Sequence, residues 1–486
     1  MNSYSSNGEN NFASLRNEVV GIDTMIPVLD GTMKRYVFLD NGASTPTFKS
    51  VLQAIEDFMP WYSGVHRGTG YKSQVATELF DKAREIIGEF VGADVSDNVV
   101  IFGKNTTEAV NKMSNRFPFA PDDVIITTQM EHHSNDLPWR KHENVIHIGV
   151  DDEGYLKIDE LKRALDAHKG KVKLVCVSGA SNITGICNPI HDIARWSHSV
   201  GAKIFVDAAQ LAPHRTINIL PNDMPEHIDF LAFSAHKVYS PFGIGVLIAP
   251  KEIFEQGDPD VVGGGTVLAV SLDEVYWDDA PHKEEAGTPN VVGVIALAKS
   301  LSVLEEIGMD NIAHHEYELL KYAYKKLFNI PKLVFYGPTK NLMSRVGVIT
   351  FNVEGMSHSL VAAILGTEGG IGVRNGCFCA QPYVKRLLHV TPEQEEQLLR
   401  DMSAGNKSTM PGMVRASLGC YSNEEDVDAF VETLNRIVRK EYAGEYELNQ
   451  RTGAYTAKGY RIDVEQCFSF GGNFSSAREH SYSEAS

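Results

Sequence analysis

The chain has 486 residues, 43% of them hydrophobic and 22% charged, with a net charge of −18, a composition typical of a globular protein large enough for two domains. The acidic charge argues against a nucleic-acid partner, because phosphates bind to basic surfaces. Without an apolar run of about 18 residues or a secretory signal, neither a membrane span nor export is expected. Six cysteines in so long a chain do not indicate a disulfide framework, so we expect a cytoplasmic protein.

Short apolar runs alternate with amphipathic segments in the first half of the chain. The runs cover residues 99–102, 123–128, 173–178, 203–208, 230–234 and 245–249. Nearly continuous apolar runs are typical of strands buried on both faces of a parallel sheet. Helices are predicted between them, for example at 107–117 and 190–201. This alternation predicts a three-layer α/β sandwich with right-handed crossovers.

The pattern changes near residue 290. Two long helices are predicted at 291–308 and 311–328, followed by strand signals at 346–353 and 413–418, which together indicate a smaller α+β domain. The predicted division begins with an N-terminal arm at 1–35, which packs on the small domain, and a large domain at 36–289. A small domain at 290–445 follows, with an insertion near 385–410, and the chain ends in an extension at 446–486. The polar segments 1–20 and 468–486 are expected to be mobile.

Polar residues follow each predicted strand, at the edge of an open parallel sheet where functional groups gather. Thr106 and Thr107 follow the first strand at a helix start. Hydroxyls and free backbone N–H groups there suit a phosphate, although for this stretch taken alone a helix cap is the more common explanation. His132 and His133 follow the second strand; because adjacent side chains point in different directions, no two-histidine metal site is predicted, but one imidazole could stack on a flat ring.

The next three strands add an amide, a carboxylate and a lysine. They are followed by Asn182, by Asp207 with Gln210, and by Ser234, His236 and Lys237. A lysine between a buried strand and a small-residue turn can have a lowered pKa and form a Schiff base. Together with an anion site and a carboxylate for a ring nitrogen, this set matches the needs of pyridoxal 5′-phosphate (PLP). Lys237 would bind the aldehyde, Asp207 the ring nitrogen, and Thr106, Thr107, Ser234 and His236 the phosphate.

Ten motifs occur in order between about residues 36 and 440. They are YVFLDNGASTP, YSGVHRGTGYKSQVATELFDKARE, NTTEAVN, MEHHSNDLPW, VSGASNITG, VDAAQ, FSAHKVYSPFGIGVL, EAGTPN, VRNGCFCAQP and MVRASLGCYSNEEDVD. Together they resemble the class V aminotransferases, which are fold type I PLP enzymes, and most of all the SufS-like cysteine desulfurases and selenocysteine lyases. The resemblance implies a homodimer whose subunits each have a large domain, with a mainly parallel seven-stranded sheet in an α/β/α sandwich, and a smaller α+β domain.

The resemblance also implies individual roles. Lys237 would form the Schiff base, Asp207 and Gln210 would contact the ring nitrogen and phenolate oxygen, and His132 would stack on the ring. Asn182 would lie beside the cofactor and the substrate carboxylate, Arg374 would clamp that carboxylate, and Arg415 would contribute from the strand leading back to the site. Thr107 with Thr106, Ser234 and His236 would hold the phosphate, and Thr288 would reach the phosphate of the neighbouring subunit.

Two cysteines lie in the motif VRNGCFCAQP. The resemblance makes Cys379 the sulfur acceptor, whereas Cys377 stands where the family usually has histidine and could relay sulfur, tune its neighbour or do neither. A zinc site is not expected, because a C-x-C pair lacks two further ligands at metal-site spacing. About 36 residues separate Cys379 from Arg415, more than expected for the group. The insertion could form a helical lid or a partner surface, or it could move Cys379 away from the cofactor.

The implied activity is desulfuration of L-cysteine to L-alanine with a persulfide on Cys379, and a selenocysteine lyase activity is also open. A sulfur-acceptor protein is an expected partner. The first alternative is another class V enzyme, such as an aminotransferase, a C–S lyase or an epimerase, which would keep Lys237, Asp207 and Arg374 but have no use for Cys379. The second alternative is a binding protein that has kept the fold without its chemistry.

Overall fold

The computed structural model describes residues 8–471; the outer parts of the segments expected to be mobile, 1–7 and 472–486, lie outside this range. The helices are α1 (Gly8–Asn17), α2 (Lys49–Phe58), α3 (Tyr71–Phe90), α4 (Thr106–Arg116), α5 (Ile158–Ala167), α6 (Ile190–Ser199), α7 (Lys251–Glu255), α8 (Val291–Ile307), α9 (Met309–Leu327), α10 (His358–Gly369), α11 (Gln381–Leu387), α12 (Pro392–Ser403), α13 (Glu424–Val438) and α14 (Val464–Cys467). None of these described helices combines the length and hydropathy of a membrane span.

The strands group into one large sheet, one smaller sheet and several short pairs. They are β1 (Met25–Pro27), β2 (Met33–Arg35), β3 (Val37–Phe38), β4 (Asn98–Gly103), β5 (Val124–Thr128), β6 (Val145–Ile148), β7 (Val172–Ser178), β8 (Lys203–Asp207), β9 (Phe230–Ser234), β10 (Gly245–Pro250), β11 (Val267–Val270), β12 (Val275–Trp277), β13 (Leu333–Tyr336), β14 (Val348–Val353), β15 (Ile371–Gly372), β16 (Arg374–Gly376), β17 (Met413–Ser417), β18 (Tyr446–Leu448) and β19 (Tyr455–Ala457).

The large sheet has the strand order β4-β10-β9-β8-β7-β5-β6. The pairs β9–β8, β8–β7, β7–β5 and β5–β6 are parallel. Alternate residues of β9 enter opposite hydrophobic clusters: Leu231 and Phe233 pack with α3 and α8, whereas Phe230 and Ala232 pack with α4. Helices therefore cover both faces, which explains why the strands are almost wholly apolar. The predicted α/β/α sandwich with a mainly parallel seven-stranded sheet is confirmed.

Two strands depart from the sequence-based expectation. β10 was expected among the parallel strands, but it runs antiparallel to both β4 and β9. Its apolar run reflects burial on both faces, which does not specify strand direction. β6 was not predicted; it lies at the edge of the sheet with only Ile148 buried, so its sequence lacks the continuous apolar run of the inner strands.

The smaller sheet is antiparallel throughout, in the order β13-β14-β17-β16. It shares one hydrophobic cluster with α9, α10 and α13. The N-terminal arm is fastened to this part of the chain, because Arg16 and Arg35 both pair with the buried carboxylate of Asp426, at 2.7 and 2.8 Å. β3 also pairs in parallel with β15.

The insertion and the extension each form structure of their own. Residues 385–410 contain α12, whose N-terminus has a capping box between Thr391 and Gln394 and which buries none of its residues. The extension forms the hairpin β18–β19, where Tyr446 Oη lies 2.8 Å from Thr367 Oγ1 on α10. A hairpin was not predicted here, because two three-residue strands carry too little alternation to be recognised.

We predict that Gly245→Ala will destabilise the large domain. A Cβ at Gly245 would lie 2.3 Å from the backbone of Asn105, so β10 and the start of α4 would have to separate. The expected loss is about 1–3 kcal/mol, as for other overpacked sites, measured as a lower midpoint in urea unfolding. Gly263→Ala is the control, since a Cβ there meets no atom within 4 Å. Equal midpoints for the two variants would contradict the prediction.

Candidate functional site

The carboxyl ends of four adjacent strands, β5, β7, β8 and β9, meet at one edge of the large sheet, and there a cavity of about 300 Å³ opens. The strand register places Ser178 beside Asp207 and Asp207 beside Ala232. All the residues predicted for the site line this cavity except Thr288: they are Thr106, Thr107, His132, Asn182, Asp207, Gln210, Ser234, His236, Lys237, Arg374, Cys379 and Arg415. The sheet topology therefore brings together side chains that are far apart in the sequence.

One end of the cavity is formed by the N-terminus of α4. The helix is capped by Asn105, whose side chain accepts a hydrogen bond from Glu108 N at 3.0 Å, so the two threonines are not needed as caps. Thr106 N donates to Ser234 Oγ at 2.8 Å, and the two hydroxyls lie 2.7 Å apart. The hydroxyl of Thr107 lies 2.7 Å from that of Ser134. Hydroxyls and a helix N-terminus at one place form a site suited to an anion.

Lys237 and Asp207 carry the charges at the centre of the cavity. Lys237 lies in a short 3₁₀ helix directly after β9. Burial by the surrounding protein lowers the pKa of Lys237 to about 8, although the nearby charge of Asp207 opposes this shift. Burial raises the pKa of Asp207, while a hydrogen bond from Ala209 N and the charge of Lys237 act in the opposite direction. A pKa of about 8 leaves a reactive fraction of the lysine as the neutral amine at physiological pH, the form that condenses with an aldehyde.

Two histidines at the cavity are held in the neutral form. Burial, reinforced by the charge of Lys237, lowers the pKa of His132 to about 3 and that of His236 to about 4. His132 Nδ1 accepts a hydrogen bond from Ser134 N at 3.1 Å, which places the imidazole proton on Nε2. A neutral ring with a fixed orientation can stack on a flat aromatic group without adding positive charge.

Two arginines at the cavity share one carboxylate. Asp40 lies 2.8 Å from Arg374 Nη2 and 3.4 Å from Arg415 Nη2. Arg415 is buried and also donates to Asn182 O at 2.8 Å. Its Nε has no hydrogen-bond partner among the described residues. Two guanidinium groups with a single counter-ion leave a positive charge that can bind the carboxylate of a substrate.

The loop that carries Cys379 is fastened to the strand-end loops of the large domain. Asn182 Nδ2 donates to Phe378 O at 2.8 Å, and His133 N donates to Cys379 O at 2.6 Å. Phe378 and Cys379 both have left-handed backbone conformations, with φ of 49° and 55°. Such conformations cost non-glycine residues free energy and persist where surrounding contacts impose them. The Cys379 side chain is exposed and lines the cavity together with Lys237.

Thr288 lies elsewhere. It lines a separate surface cavity of about 430 Å³ together with His66, Arg67 and His282. Within a single chain it is thus not brought to the Lys237 site.

One further cluster of ligand-type residues was not predicted. His198, His227 and Asp229 lie together, with Asp229 directly before the first residue of β9. The two imidazoles stack face to face, with centroids 4.2 Å apart and planes 20° from parallel, and the Nε2 atoms of both rings contact the Asp229 carboxylate, at 2.8 Å from His198 and 3.2 Å from His227. Lys203 also pairs with Asp229 at 3.0 Å. We therefore describe the group as an ion-pair cluster.

Sequence reasoning missed three residues that contribute to the cavity. Asp40 pairs with the two arginines. Ser134 contacts both His132 and Thr107 and orients them. Phe378 packs against Arg415, whose guanidinium carbon lies 5.0 Å from the centroid of the phenyl ring. Each lies within a quoted motif, but its role depends on side-chain geometry between distant segments. Only the role of Ser134 had a signal in the local sequence, because this serine lies two residues after His132 in a short helical turn.

The chain was compared with known proteins. Residues 37–430 match the family model of the class-V aminotransferases. Over 434 residues, 87% of this chain and 98% of its relative, the chain is 35% identical to a probable cysteine desulfurase of Halalkalibacterium halodurans. It is 33% identical over 408 residues, 82% of this chain and 88% of its relative, to a cysteine desulfurase of Haloferax volcanii.

Solved structures show the same relationship. An apo cysteine desulfurase from Thermococcus onnurineus superposes with a TM-score of 0.76 at 32% identity, covering 90% of this chain and all of that one. The cysteine desulfurase CsdA from Escherichia coli gives a TM-score of 0.73 at 27% identity with the same coverage. The fold is that of the fold type I PLP enzymes, and the chain belongs to the class V aminotransferase family.

The cofactor of this family is PLP, and the cavity fits it. The α4 N-terminus with its hydroxyls suits the phosphate, the buried Asp207 suits a protonated ring nitrogen, and the neutral His132 suits the ring face. Lys237 lies in the same cavity with the lowered pKa that an aldehyde-binding lysine requires.

We predict that in the cofactor-free protein Lys237 reacts with an aldehyde at unusually low pH. Because burial lowers its pKa to about 8, the reactive amine should form as the pH rises through about 8, well below the range of an ordinary lysine. Trapping with cyanoborohydride, followed by peptide mass spectrometry at Lys237, measures the profile. Asp207→Asn removes a charge that raises this pKa, so its midpoint should lie lower. A midpoint near that of exposed lysines would contradict the assignment.

Proposed function

We propose that the protein is a PLP-dependent cysteine desulfurase that converts L-cysteine to L-alanine and transfers the sulfur to Cys379. The observation that carries the proposal is the position of Cys379, whose exposed side chain lines the same cavity as Lys237. Arg415 lines the same cavity, so the thiol, the lysine and a guanidinium group share one space. The relatives named as cysteine desulfurases support the same activity.

Substrate binding is assigned to the arginine pair. Arg415 lines the buried wall of the cavity, and Arg374 reaches the cavity from the exposed side. An amino-acid carboxylate would share these guanidinium groups with Asp40. The amide of Asn182 is held by its bond to Phe378 O, which links the carboxylate site to the loop that carries the thiol.

The proton transfers are assigned to Lys237. When bound, PLP supplies an electron sink that makes the Cα proton of the substrate acidic and the Cβ–Sγ bond cleavable. With its pKa near 8, Lys237 can accept that proton as a neutral amine and return it as an ammonium group. The neutral His132 and His236 add no competing positive charge to the cavity.

Sulfur transfer is assigned to Cys379. The Cys379 thiolate attacks the substrate Sγ, an S–S bond forms as the C–S bond breaks, and the remaining three-carbon unit takes up protons to become L-alanine. Another class V enzyme would have no use for a thiol at this place, so the geometry favours the desulfurase. Activity towards selenocysteine remains a prediction.

The proposal includes a homodimer. The segment from residue 261 to 276 exposes several large apolar side chains, namely Val262, Leu268, Val270, Leu272 and Tyr276. So many exposed apolar side chains in one short segment favour an interface there. Beside it, Thr288 and Arg67 line a second cavity. In a dimer with two-fold symmetry this cavity could meet the phosphate end of the partner's site. The proposal also includes a sulfur-acceptor protein as a partner. It includes a cytoplasmic location, because the sequence has few cysteines for its length.

We predict that Cys379→Ala lowers alanine formation from L-cysteine at least a hundredfold while the visible absorbance of the bound cofactor is unchanged, because Cys379 acts only in the sulfur-transfer step. Alanine and sulfide are measured after incubation of the purified protein with L-cysteine. Cys467→Ala, which changes an exposed cysteine in the C-terminal extension, is the matched control. Undiminished alanine formation by the Cys379 variant would instead favour a class V enzyme that does not use this thiol.

We predict that Val270→Glu combined with Leu272→Glu dissociates the dimer, because two charges would be buried in an apolar interface. Light scattering coupled to size-exclusion chromatography should show about half the mass of the unchanged protein. Phe328→Glu alters an exposed apolar side chain outside this segment and should leave the mass unchanged. A double variant with the mass of the unchanged protein would contradict the assignment of this surface.

A further inference from the structure

The other cysteine of the loop, Cys377, lies outside the group of residues assigned to the chemistry. It is partly buried and does not line the cavity. Its Sγ donates to Pro411 O at 3.0 Å, and burial raises the pKa of Cys377 to about 11. The group is therefore a thiol at neutral pH, able to donate a hydrogen bond but poor as a nucleophile. Its acceptor belongs to the segment by which the insertion returns to β17.

This return segment, residues 406–412, is held against the loop at a second point. His358, the first residue of α10, lies with Nδ1 3.1 Å from Asn375 Oδ1 and with Nε2 3.3 Å from Met410 O. Asn375 belongs to β16, directly before the loop. Asn352 Nδ2 on β14 also donates to Gly412 O at 3.0 Å. One short segment thus connects the insertion to the strand from which the loop begins.

The C-terminal hairpin closes over the other side of the return segment. Lys407 N donates to Gln450 O at 2.8 Å, and Gly453 approaches so closely that a Cβ there would lie 2.7 Å from Lys407 O. The second strand of the hairpin, β19, is attached to α10, because Tyr455 N donates to Ser359 Oγ at 3.2 Å. The return segment therefore lies between the hairpin and the cysteine loop.

The hairpin is itself firmly anchored. The buried carboxylate of Glu368 on α10 accepts from Ala443 N, Gly444 N and Tyr446 Oη at 2.9 to 3.1 Å. A buried carboxylate with three donors is a strong attachment. The hairpin can thus act as a fixed support.

We propose that Cys377 is a positioning residue, whose hydrogen bond to Pro411, braced by the insertion and the C-terminal hairpin, holds the loop in the left-handed conformation that presents Cys379 to the cavity. The inference rests on the proposed function only in giving Cys379 the acceptor role. It assigns a use to three features of this chain: the second cysteine, the long insertion and the extension. The insertion does not draw Cys379 away from the site; its return segment supports the loop.

The proposal separates hydrogen bonding from thiol chemistry. If Cys377 relayed sulfur or formed a disulfide with Cys379, a serine in its place would be as defective as an alanine. If it acts as a donor to Pro411, serine retains the bond and alanine loses it. The comparison of Cys377→Ser with Cys377→Ala is therefore decisive.

The first experiment measures the loop itself in the resting protein. Hydrogen exchange followed by mass spectrometry over residues 374–384 should be roughly three- to tenfold faster in Cys377→Ala, the effect of one neutral hydrogen bond. The rate of persulfide formation on Cys379 in a single turnover should fall by a similar factor. Cys377→Ser should resemble the unchanged protein in both measurements. A serine variant as defective as the alanine variant, or an alanine variant without any effect, would overturn the proposal.

The second experiment tests the hairpin. Gly453→Ala pushes the hairpin away from Lys407 and should speed exchange in the loop at 374–384. Gly459→Ala is a matched control: both glycines have φ near 75°, at 73° and 76°, but a Cβ at Gly459 meets no atom within 4 Å. Equal exchange in the two variants would remove the hairpin from the proposal and overturn it. Because exchange is read without substrate, these outcomes are independent of the Cys379→Ala result.

Discussion

The site depends on the attachment of one loop to the large sheet. The carbonyl groups of Phe378 and Cys379 are bound by Asn182 and by His133 N, and these donors follow β7 and β5. Without them, two consecutive left-handed residues would not be stable. Arg374 is placed at the cavity by the pairing of β16 with β17, which sets it opposite Arg415. The positions of the thiol and of the arginine pair therefore both follow from a few backbone contacts.

The electrostatics of the cavity follow from burial. Burial makes the protonated forms of His132 and His236 unfavourable and lowers the pKa of Lys237 to about 8, so the two imidazoles add no positive charge beside the anion site at α4. Positive charge is concentrated in the arginine pair, where Asp40 neutralises part of it. Anion binding is thus divided: hydroxyls and a helix N-terminus serve one end of the cavity, and guanidinium groups serve the other.

Much of this could be predicted from the sequence, because the signals were local and strong. Six apolar runs located six of the seven strands of the large sheet, and the polar residues after them supplied the cofactor side of the cavity. The direction of β10 could not be predicted, since burial on both faces gives parallel and antiparallel strands the same composition. The edge strand β6 was missed because it is only partly buried. The pairing of Asp40 with Arg374 and Arg415 joins segments more than 300 residues apart. The C-terminal hairpin contacts segments about 40 to 100 residues before it. Nothing in the local sequence indicates either contact.

The separation of these contacts bears on how the protein is made. Asn182 and Phe378 are 196 residues apart in the chain, and contacts over such distances form late in folding. The seven strands of the large sheet, Lys237 and the phosphate site all lie within the first 250 residues. They therefore leave the ribosome well before Cys379, and during synthesis N-terminal domains generally fold first. A nascent chain can therefore bring Lys237, Asp207 and the phosphate site together before Cys379 has been added. The reactive pair of lysine and cysteine comes together only when the last hundred residues have been added, which delays the chemistry until the support for the loop exists.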